Sequence, residues 1–395
     1  MNYKASPKRY YSMKYRRCGK SGVDLPLISL GLWHNFGGKQ LNSEAKKMLF
    51  YSFDSGITHF DLANNYGPPA GSAEANFGKI LSKEFKRYRD ELIISSKAGY
   101  DMWEGPYGEW GSKKYIIASC DQSLKRMGLD YVDIFYSHRF DPNTPLEETA
   151  DALELIYKSG KALYIGISSY SSKKTIEMFN ILKKRNIKIF IHQPSYSLIN
   201  RWFEKDLDKN LIKLGIGTIA FSPLAQGMLS DKYLKGIPKV SRASDPKSAL
   251  DKSFITKRNI KIISDLNQIA KKRGQTLSQM ALAWVLNNKA VTTALIGASS
   301  VRQIKENIES LMGLAVGMTK GQVFELAGIA NYVEGYDWGS AWFYKIRKGG
   351  NEGTLANKDI EQRYMPVVFD NTDRVMGYGR KFYDQTLSDL GSGQF

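Results

Sequence analysis

Four side chains of the sequence form a set that could transfer a proton to a carbonyl oxygen. Asp61, Tyr66, Lys97 and His138 each lie at or just after the end of a short apolar run. A tyrosine phenol is a weak acid with a pKa of about 10, and a nearby ammonium lowers that pKa because it stabilises the phenolate. An aspartate beside the lysine keeps it charged, and a histidine can donate a hydrogen bond where negative charge develops on oxygen. The set therefore suits carbonyl reduction, in which Tyr66 gives a proton and a cofactor gives a hydride.

Three of the four residues also have a structural explanation when each is taken alone. Asp61 could cap a helix or stabilise a turn, Tyr66 is one of 23 tyrosines, and His138 could be a hydrogen-bonded core histidine. Lys97 is unusual at the end of an apolar strand and favours a functional role by itself. The conjunction of all four at one edge of the fold is what indicates a catalytic site.

Eight short apolar runs alternate with helical patterns, and each run is predicted to be a β-strand. They cover residues 27–31, 58–61, 92–97, 132–137, 163–168, 189–193, 218–222 and 294–297. The runs are apolar throughout, as strands covered on both faces are. Eight such units over roughly 300 residues predict an α/β fold, a closed (β/α)8 TIM barrel. A hairpin within residues 15–30 precedes the barrel.

The predicted strand ends carry the polar residues, which is where a barrel of this kind places its chemistry. No G-x-G-x-x-G follows any of these strands, and the sequence contains no G-x-x-x-x-G-K-[ST]. Both patterns are backbone cradles for phosphates. Their absence disfavours a Rossmann or P-loop nucleotide-binding fold.

The charge of the chain favours anionic ligands. The 395 residues hold 57 Lys and Arg against 39 Asp and Glu, which gives +18. Residues 331–395 hold 8 basic and 9 acidic residues, so residues 1–330 carry +19. Such a field attracts phosphorylated metabolites and dinucleotides. The basic residues are spread over helical patterns without a nucleic-acid-binding motif, so we do not expect a nucleic acid as partner.

Composition predicts a cytoplasmic protein without a bound metal or a membrane segment. Two cysteines are too few for a disulfide framework, which favours a reducing compartment. Among the four histidines, no Cys/His spacing matches a zinc site. The mean hydropathy is −0.38, and no apolar run approaches the ~18 residues of a membrane helix. The first residues lack the apolar core of a secretory signal.

At the level of motifs, the sequence resembles the aldo-keto reductases. In THFDLANNYG, Asp61 and Tyr66 fall on two catalytic positions of that family, Lys97 in IISSKAG falls on a third, and His138 in VDIFYSH on the fourth. The segments NNYGPPAGSAEANFG, IHQPSYSLINRW and SPLAQGMLSDKY are similar to the branch that holds potassium-channel β subunits and the bacterial L-glyceraldehyde 3-phosphate reductases. The bacterial enzymes are the more similar group. The resemblance covers about residues 10–330.

The resemblance implies an NADPH site. The residues that would hold the nicotinamide carboxamide and stack on its ring are Ser168, Ser169, Gln193 and Phe221. The residues that would follow the pyrophosphate or reach the phosphates are Ser222, Pro223, Leu224, Gln226, Gly227, Lys232 and Arg242. The adenosine end would contact Gly297, Ser299, Gln303, Glu306 and Asn307. Many family members have a Lys-Ser pair for the 2′-phosphate where this chain has Gly297 and Ala298, and the adjacent Arg302 is a candidate to assist.

The substrate would lie against Trp33, Tyr66, His138 and Arg139. Arg139 directly follows the catalytic histidine position, so it could attract a substrate phosphate. It could equally pair with Asp141, and the sequence leaves these alternatives open. Other residues of the predicted rim loops are His34, Asn65, Tyr100 and Trp103.

Residues 331–395 are predicted to be an extension beyond a barrel domain of residues 1–330. The segment holds 12 aromatic residues, and YMPVVFD has the pattern of a strand. Glycines near 349, 377 and 391 indicate turns. Modules below about 70 residues rarely stand alone, so we expect the segment to dock on the barrel or on a neighbouring subunit, although a fusion unrelated to the enzyme stays open.

Together these features predict an NADPH-dependent reductase of a small aldehyde, with glyceraldehyde 3-phosphate or methylglyoxal as substrate by resemblance. The alternative from another class is an NADPH-binding sensing subunit of a membrane channel with slow turnover. A third alternative is a lyase or aldolase barrel that uses Lys97 as a Schiff base. Both branches of the resemblance assemble into rings, which predicts a homo-oligomer.

Overall fold

A computed structural model describes residues 3–11, 13–234, 237, 254–273, 275–309, 318–345 and 364–391. These residues group into two compact units. The first draws on Met1–Pro7, Tyr15–Ala225 and Trp284–Lys305, and the second on Lys8–Lys14, Gln226–Ala283 and Glu306–Phe395.

The first unit contains a closed barrel of eight parallel strands. In chain order they are β3 (Ile28–Gly31), β4 (His59–Asp61), β5 (Ile93–Ala98), β6 (Val132–Ser137), β7 (Ala162–Ser168), β8 (Ile189–Gln193), β9 (Gly217–Phe221) and β10 (Thr293–Ile296). Each strand pairs with the next in the chain, and β10 closes the barrel by pairing with both β9 and β3. The predicted (β/α)8 barrel is therefore confirmed, with each predicted strand within a residue or so of the observed one.

A short hairpin closes the end of the barrel at which the strands begin. It consists of β1 (Tyr15–Arg17) and β2 (Asp24–Pro26), paired antiparallel. A Cβ at Gly217, the first residue of β9, would lie 2.1 Å from the Cys18 Sγ. The hairpin thus packs directly on the strand starts, which leaves the opposite, carboxyl ends of the strands for a site.

Helices follow the strands as the sequence predicts. Those before β10 are α1 (Ser43–Asp54), α2 (Ser72–Ile80), α3 (Lys113–Met127), α4 (Leu146–Lys158), α5 (Ser172–Lys184), α6 (Leu207–Leu214), α7 (Lys257–Lys272) and α8 (Leu277–Asn287). After β10 comes α9 (Val301–Glu309). Side chains of Asn42, Ser112 and Ser171 accept hydrogen bonds from the first turns of α1, α3 and α5, as N-cap residues do. Beyond α2, Leu81–Phe85 forms a π-helical turn that buries Leu81 and Phe85.

The second unit contains a four-stranded antiparallel sheet. Its strands β11 (Tyr332–Tyr336), β12 (Gly339–Lys345), β13 (Tyr364–Asp370) and β14 (Val375–Tyr378) pair in sequence order. Two helices flank it in the chain, α10 (Lys320–Ala327) and α11 (Arg380–Leu390). The predicted strand YMPVVFD is confirmed as β13. The turn predicted near residue 377 is confirmed at Gly379, which lies between β14 and α11 with φ of 87°. Gly377 itself lies within β14, and the Phe382 ring occupies the space where its Cβ would sit, 2.5 Å away.

The sheet of the second unit buries side chains on both faces. Val367 and Phe369 of β13 pack in a cluster with Met318 and Val323. Val368, between them, packs on the other face with Tyr383 of α11. Successive strand residues point to opposite faces, which explains why Val367, Val368 and Phe369 are all apolar. Gly391 is the C-cap of α11, and residue 349 lies outside the described residues.

None of the helices in the described part of the chain has both the length and the apolar character needed to cross a membrane.

Candidate active site

The centre of the site is a buried ion pair between two neighbouring strand ends. Asp61 ends β4, Lys97 lies one residue before the end of β5, and both side chains are fully buried. The Lys97 Nζ donates to Asp61 Oδ2 at 2.5 Å and to the Leu62 carbonyl at 2.6 Å. A charged pair is tolerated inside a protein when each ion is hydrogen-bonded in this way. Two of the four predicted catalytic residues are thus in direct contact.

Tyr66 covers this ion pair from the loop after β4. The Lys97 Nζ lies 5.1 Å from the centre of the Tyr66 ring, and Trp33 stacks on the same ring at 5.6 Å. Burial, followed by the negative charge of Asp61, raises the pKa of Tyr66 well above 10. The expected net lowering of this pKa by Lys97 is not found, because burial and the Asp61 carboxylate, 2.5 Å from the Lys97 Nζ, outweigh the ammonium. The phenol therefore holds its proton at neutral pH.

His138 directly follows β6 and completes the set. Its ring centre lies 6.0 Å from that of Tyr66 and 4.7 Å from that of Tyr100, edge to face in both cases. Burial, aided by the positive charges of Lys97 and Arg139, holds the pKa of His138 well below 6.5. Its Nδ1 is buried and has no hydrogen-bond partner among the residues that the structure describes. A neutral imidazole has one N–H, so His138 can donate one hydrogen bond to a substrate oxygen.

Tyr136, which was not among the predicted site residues, belongs to the same cluster. Its ring centre is 5.5 Å from the Lys97 Nζ, and β5 and β6 pair in a register that sets Lys97 beside Tyr136. A Cβ at Gly166 of β7 would lie 2.4 Å from this ring, so a glycine is required there. Tyr136 lies two residues before His138 and therefore on the same face of the strand, which is a signal that the sequence did contain.

The predicted carboxamide-binding residues lie beside the ion pair. Ser168 ends β7, Gln193 ends β8, and Ser169 adopts a left-handed backbone with φ of 58°. The Ser168 Oγ and the Ser169 N–H both donate to the Gln193 carbonyl, at 2.9 and 3.1 Å. The Gln193 Nε2 donates to Asp61 Oδ1 at 3.3 Å. These three residues are therefore linked to the predicted catalytic set through Asp61, and the Ser169 side chain is exposed.

The segment after β9 has an unusual backbone. Phe221 ends the strand and is held by hydrogen bonds from its N–H to the Pro194 carbonyl and from the Tyr196 N–H to its own carbonyl. Beyond it come four residues with positive φ: Ser222 (52°), Ala225 (46°), Gln226 (58°) and Gly227 (98°). Non-glycine residues adopt this conformation rarely, and such strain tends to persist where a binding loop is shaped by its function. Pro223 is buried and Leu224 partly buried between them.

The backbone donors at the start of α9 already have protein partners. Gly297 and Ser299 are exposed after β10, and the Ser299 N–H donates to Gln303 Oε1 at 2.9 Å. The Val301 N–H donates to Glu44 Oε1 at 3.1 Å. A phosphate group can bind at a helix N-terminus of this kind, and here it would take the place of one of these side-chain oxygens.

The remaining implied cofactor residues belong to the second unit or lie outside the described residues. Arg242 is in the latter group. Lys232 is exposed, and Gln226 has a buried Oε1 without a partner in the described ranges. On α9, Glu306 is exposed and Asn307 is buried.

Arg139 pairs with Glu109, so the suggested pairing with Asp141 is wrong. The Arg139 Nη2 is 2.8 Å from Glu109 Oε2, and its Nε donates to the Gly99 carbonyl at 2.8 Å. The guanidinium carbon lies over the Trp110 ring, 3.5 Å from the ring centre. Asp141 instead accepts hydrogen bonds from the backbone of Gly111 and Asn143 and from Thr144, and so shapes its own loop.

The polar groups of the first unit fit the nicotinamide end of a dinucleotide. A carboxamide needs both donors and acceptors, which a serine hydroxyl and a glutamine amide provide. Ser169 and Gln193 are such groups, and the nearby Asn65 has a buried Oδ1 with no partner among the described residues. Within the described ranges, no group of three or more His, Cys, Asp or Glu side chains could hold a metal ion.

With this geometry in place, the class of protein follows from comparison with known families. The Aldo/keto reductase family profile matches residues 27–315, and the chain belongs to this family. It is an oxidoreductase of a family that generally uses NADP(H).

Among curated proteins, the chain is similar to the L-glyceraldehyde 3-phosphate reductase of Escherichia coli (strain K12). The two are 56% identical over 318 residues, which cover 80% of this chain and 92% of that protein. The L-glyceraldehyde 3-phosphate reductase of Escherichia coli O157:H7 matches to the same extent. The motif-based resemblance to the aldo-keto reductases, and to this branch of them, is thereby confirmed.

Proposed function

We propose that the protein reduces a small aldehyde to the alcohol with NADPH, and that glyceraldehyde 3-phosphate or methylglyoxal is its substrate. The observation that carries this proposal is the buried contact of Lys97 with Asp61 at 2.5 Å, directly beneath the Tyr66 ring. The similarity to L-glyceraldehyde 3-phosphate reductases supports the substrate class.

In this proposal each residue has one task in moving a proton. When bound, NADPH supplies the hydride for the aldehyde carbon. Tyr66 holds its proton at the Oη and transfers it to the aldehyde oxygen, since its raised pKa keeps the phenol protonated beforehand. Lys97 then lies next to the phenolate and stabilises its charge until water returns the proton. His138 donates its N–H to the oxygen and orients the carbonyl.

The cofactor would lie along the carboxyl ends of the later strands. We propose that Ser169 and Gln193 hold the carboxamide, with Ser168 fixing the Gln193 backbone, and that the Phe221 ring stacks on the nicotinamide. The phosphates would follow the segment after β9, with contacts from Ser222, Pro223, Leu224, Gln226 and Gly227, and with Lys232 and Arg242 as cations. The adenosine would contact Gly297, Ser299, Gln303, Glu306 and Asn307.

The aldehyde would lie between Trp33, Tyr66 and His138, with Arg139 at the rim. Trp33 is 42% exposed beside the Tyr66 ring, so it offers an apolar wall next to the proton donor. The Arg139 guanidinium is available to a substrate phosphate only after the phosphate competes with Glu109.

We also propose a cytoplasmic homo-oligomer in which residues 1–330 form the reductase and residues 331–395 an added module. The family match ends at residue 315, before the sheet that begins at Tyr332, which supports this division. No nucleic acid or membrane insertion is expected.

The test is NADPH oxidation, followed by absorbance, with both aldehydes. We expect turnover by the wild type and a fall in kcat of about 10²- to 10⁴-fold in Tyr66→Phe, the range of a lost proton donor. Tyr157→Phe, an exposed tyrosine on α4, is the matched control and should keep full activity. Tight NADPH binding with negligible turnover on a broad aldehyde panel would contradict the proposal and favour the sensing subunit. Borohydride trapping of substrate on Lys97 without NADPH would favour the lyase.

A further inference from the structure

A chain of hydrogen bonds runs from Asp61 across four strands of the barrel interior. The Ser95 Oγ donates to Asp61 Oδ1 at 2.6 Å, and the His59 Nε2 lies 3.0 Å from the Ser95 Oγ. The His59 Nδ1 lies 2.9 Å from the Ser29 Oγ, which is 2.8 Å from the Thr293 Oγ1. All five side chains are fully buried. Bulk solvent therefore does not reach these groups, and each depends on its neighbour for hydrogen bonds.

The positions of the hydrogens follow from the carboxylate at one end. Asp61, paired with an ammonium, can only accept, so Ser95 uses its one hydroxyl hydrogen on Asp61. The Ser95 Oγ must then accept from His59, which places the proton of the imidazole on Nε2. Burial lowers the pKa of His59 to about 4, so the ring is neutral and its Nδ1 is an acceptor.

The same reasoning continues to the far end of the chain. Ser29 donates to the His59 Nδ1, and Thr293 donates to Ser29. Every hydrogen bond of the chain is therefore donated in the direction of Asp61. Reversing any one of them would leave another polar group without a hydrogen-bond partner. An unpaired polar group in a dry interior is costly, so this single arrangement is strongly preferred.

We propose that His59 and Ser95 are positioning residues for the reaction, which hold Asp61 Oδ2 against the Lys97 ammonium. The two oxygens of the Asp61 carboxylate have different hydrogen-bond partners. Oδ1 takes the hydrogen bonds from Ser95 and Gln193, and Oδ2 takes the one from Lys97. A carboxylate held at Oδ1 cannot rotate about its side-chain bonds, so the ammonium stays under the Tyr66 ring. Outer partners of this kind govern reactive groups without touching the substrate.

The kinetic part of this inference rests on the proposed reductase function, but the tautomer of His59 does not. With histidines labelled with ¹⁵N, and with His59→Gln used to assign the signal, the nitrogen chemical shifts report which ring nitrogen holds the proton. We expect a neutral ring with the proton on Nε2 throughout about pH 6 to 8, where a free histidine changes its charge. A proton on Nδ1, or a charged ring, would overturn the proposal whatever the enzyme reduces.

The kinetic test uses adjacent serines of β5. Ser95→Ala removes the hydroxyl that reaches Asp61, whereas Ser96→Ala removes a buried hydroxyl that donates to Glu74. We expect Ser95→Ala to lower kcat about 10- to 100-fold, the effect of losing an outer partner, with KM for the aldehyde and Kd for NADPH nearly unchanged. Ser96→Ala should stay within about twofold of wild type.

Substitutions of His59 separate positioning from mere folding. His59→Leu removes both hydrogen bonds and should lose activity as Ser95→Ala does. His59→Gln keeps an amide donor for Ser95 and an acceptor for Ser29, and should recover most of kcat. Expressing kcat per NADPH-binding site corrects for any unfolded fraction of the protein. If His59→Leu does not fold, the proposal is tested by the kcat of Ser95→Ala and by the recovery of kcat in His59→Gln. If Ser95→Ala loses no more than Ser96→Ala, the proposal fails, whereas an inactive wild type would refute the proposed function instead.

Discussion

The charge on Lys97 is balanced locally, and this decides the protonation of its neighbours. The ammonium is enclosed, and burial alone lowers the pKa of Lys97, while Asp61 opposes that shift. Tyr66 responds mainly to burial and to Asp61 rather than to the ammonium. The resting site is therefore a protonated phenol above a closed ion pair, which is the state that the proposed proton transfer requires.

The ion pair predicts that a single substitution at Lys97 destabilises the fold more than a double substitution that also replaces Asp61. Lys97→Met leaves the Asp61 carboxylate buried and unpaired, and we expect it to lower the free energy of unfolding by about 3–5 kcal/mol. Adding Asp61→Asn removes that charge and should restore most of the stability, while NADPH oxidation stays absent in both variants. Denaturant unfolding and turnover measure the two properties separately. Equal stability of the single and double variants would show that the carboxylate is not left unpaired.

At the residue scale, the sequence was sufficient to predict the site residues at the strand ends, but not the polar residues deeper in the barrel that support them. Asp61, Lys97 and His138 are conspicuous because each ends an apolar run. His59 and Ser95 lie two residues earlier on the same face of their strands, and inside apolar runs they read as ordinary core residues. The raised pKa of Tyr66 also escaped prediction, since it depends on how deeply the phenol is buried and on how near Asp61 lies.

At the scale of elements, the segment between β5 and α3 sets the rim of the site. Tyr100 contacts the His138 ring at 4.7 Å, and its carbonyl accepts a hydrogen bond from Tyr115 of α3 at 2.5 Å. Trp110 supports Arg139, while Glu109 pairs with it. Sequence alone located this segment as a rim loop, but it could not choose the partner of Arg139, because loop geometry decides which carboxylate is within reach.

Glu109 is predicted to weaken binding of phosphorylated aldehydes, since it occupies the guanidinium that a phosphate would bind. We expect Glu109→Gln to lower KM for glyceraldehyde 3-phosphate about three- to tenfold, in keeping with the ~1 kcal/mol of an exposed ion pair. KM for the uncharged methylglyoxal should not change. Steady-state kinetics at low and high salt would also show the gain shrinking as salt screens the charges.

Glu104→Gln is the matched control, because Glu104 is an exposed acid of the same segment. It should leave KM for both aldehydes unchanged. Equal decreases for the two substrates in Glu109→Gln would point to a change in loop shape and would rule out competition for Arg139.

At the scale of the whole molecule, strand order and strand position could be predicted because apolar runs and helical periods alternate so regularly. The sheet of the second unit was less predictable. The pattern YMPVVFD indicated β13, whereas β11 alternates half-buried and exposed residues over most of its length. The glycines near residue 377 indicated a turn, and the chain does turn at Gly379, but Gly377 itself makes room for the Phe382 ring within a strand.

The barrel holds three neutral, buried histidines, and these make its stability depend on pH. Burial lowers the pKa of His59 to about 4 and that of His192 to about 3, and it holds the pKa of His138 well below 6.5. An unfolded chain binds protons on these rings at about pH 6.5. Between about pH 6.5 and the lower pKa values of the folded state, the unfolded state binds more protons than the folded state. The contribution of these histidines to the free energy of unfolding is therefore fully present above about pH 6.5 and is lost as the pH falls.

His192 allows this linkage to be measured at a position outside the proposed site. Its Nε2 lies 3.2 Å from the Tyr170 carbonyl, and its Nδ1 has no partner in the described part of the chain. His192→Gln keeps a donor for that carbonyl but cannot titrate. Below about pH 6, we expect the wild type to lose about 1.4 kcal/mol more per pH unit than the variant, the value of one proton. Urea unfolding followed by tryptophan fluorescence, from pH 5 to 8, measures both curves. Parallel curves below pH 6 would mean that His192 is not buried neutral, whereas between pH 7 and 8 the two curves should run parallel in any case.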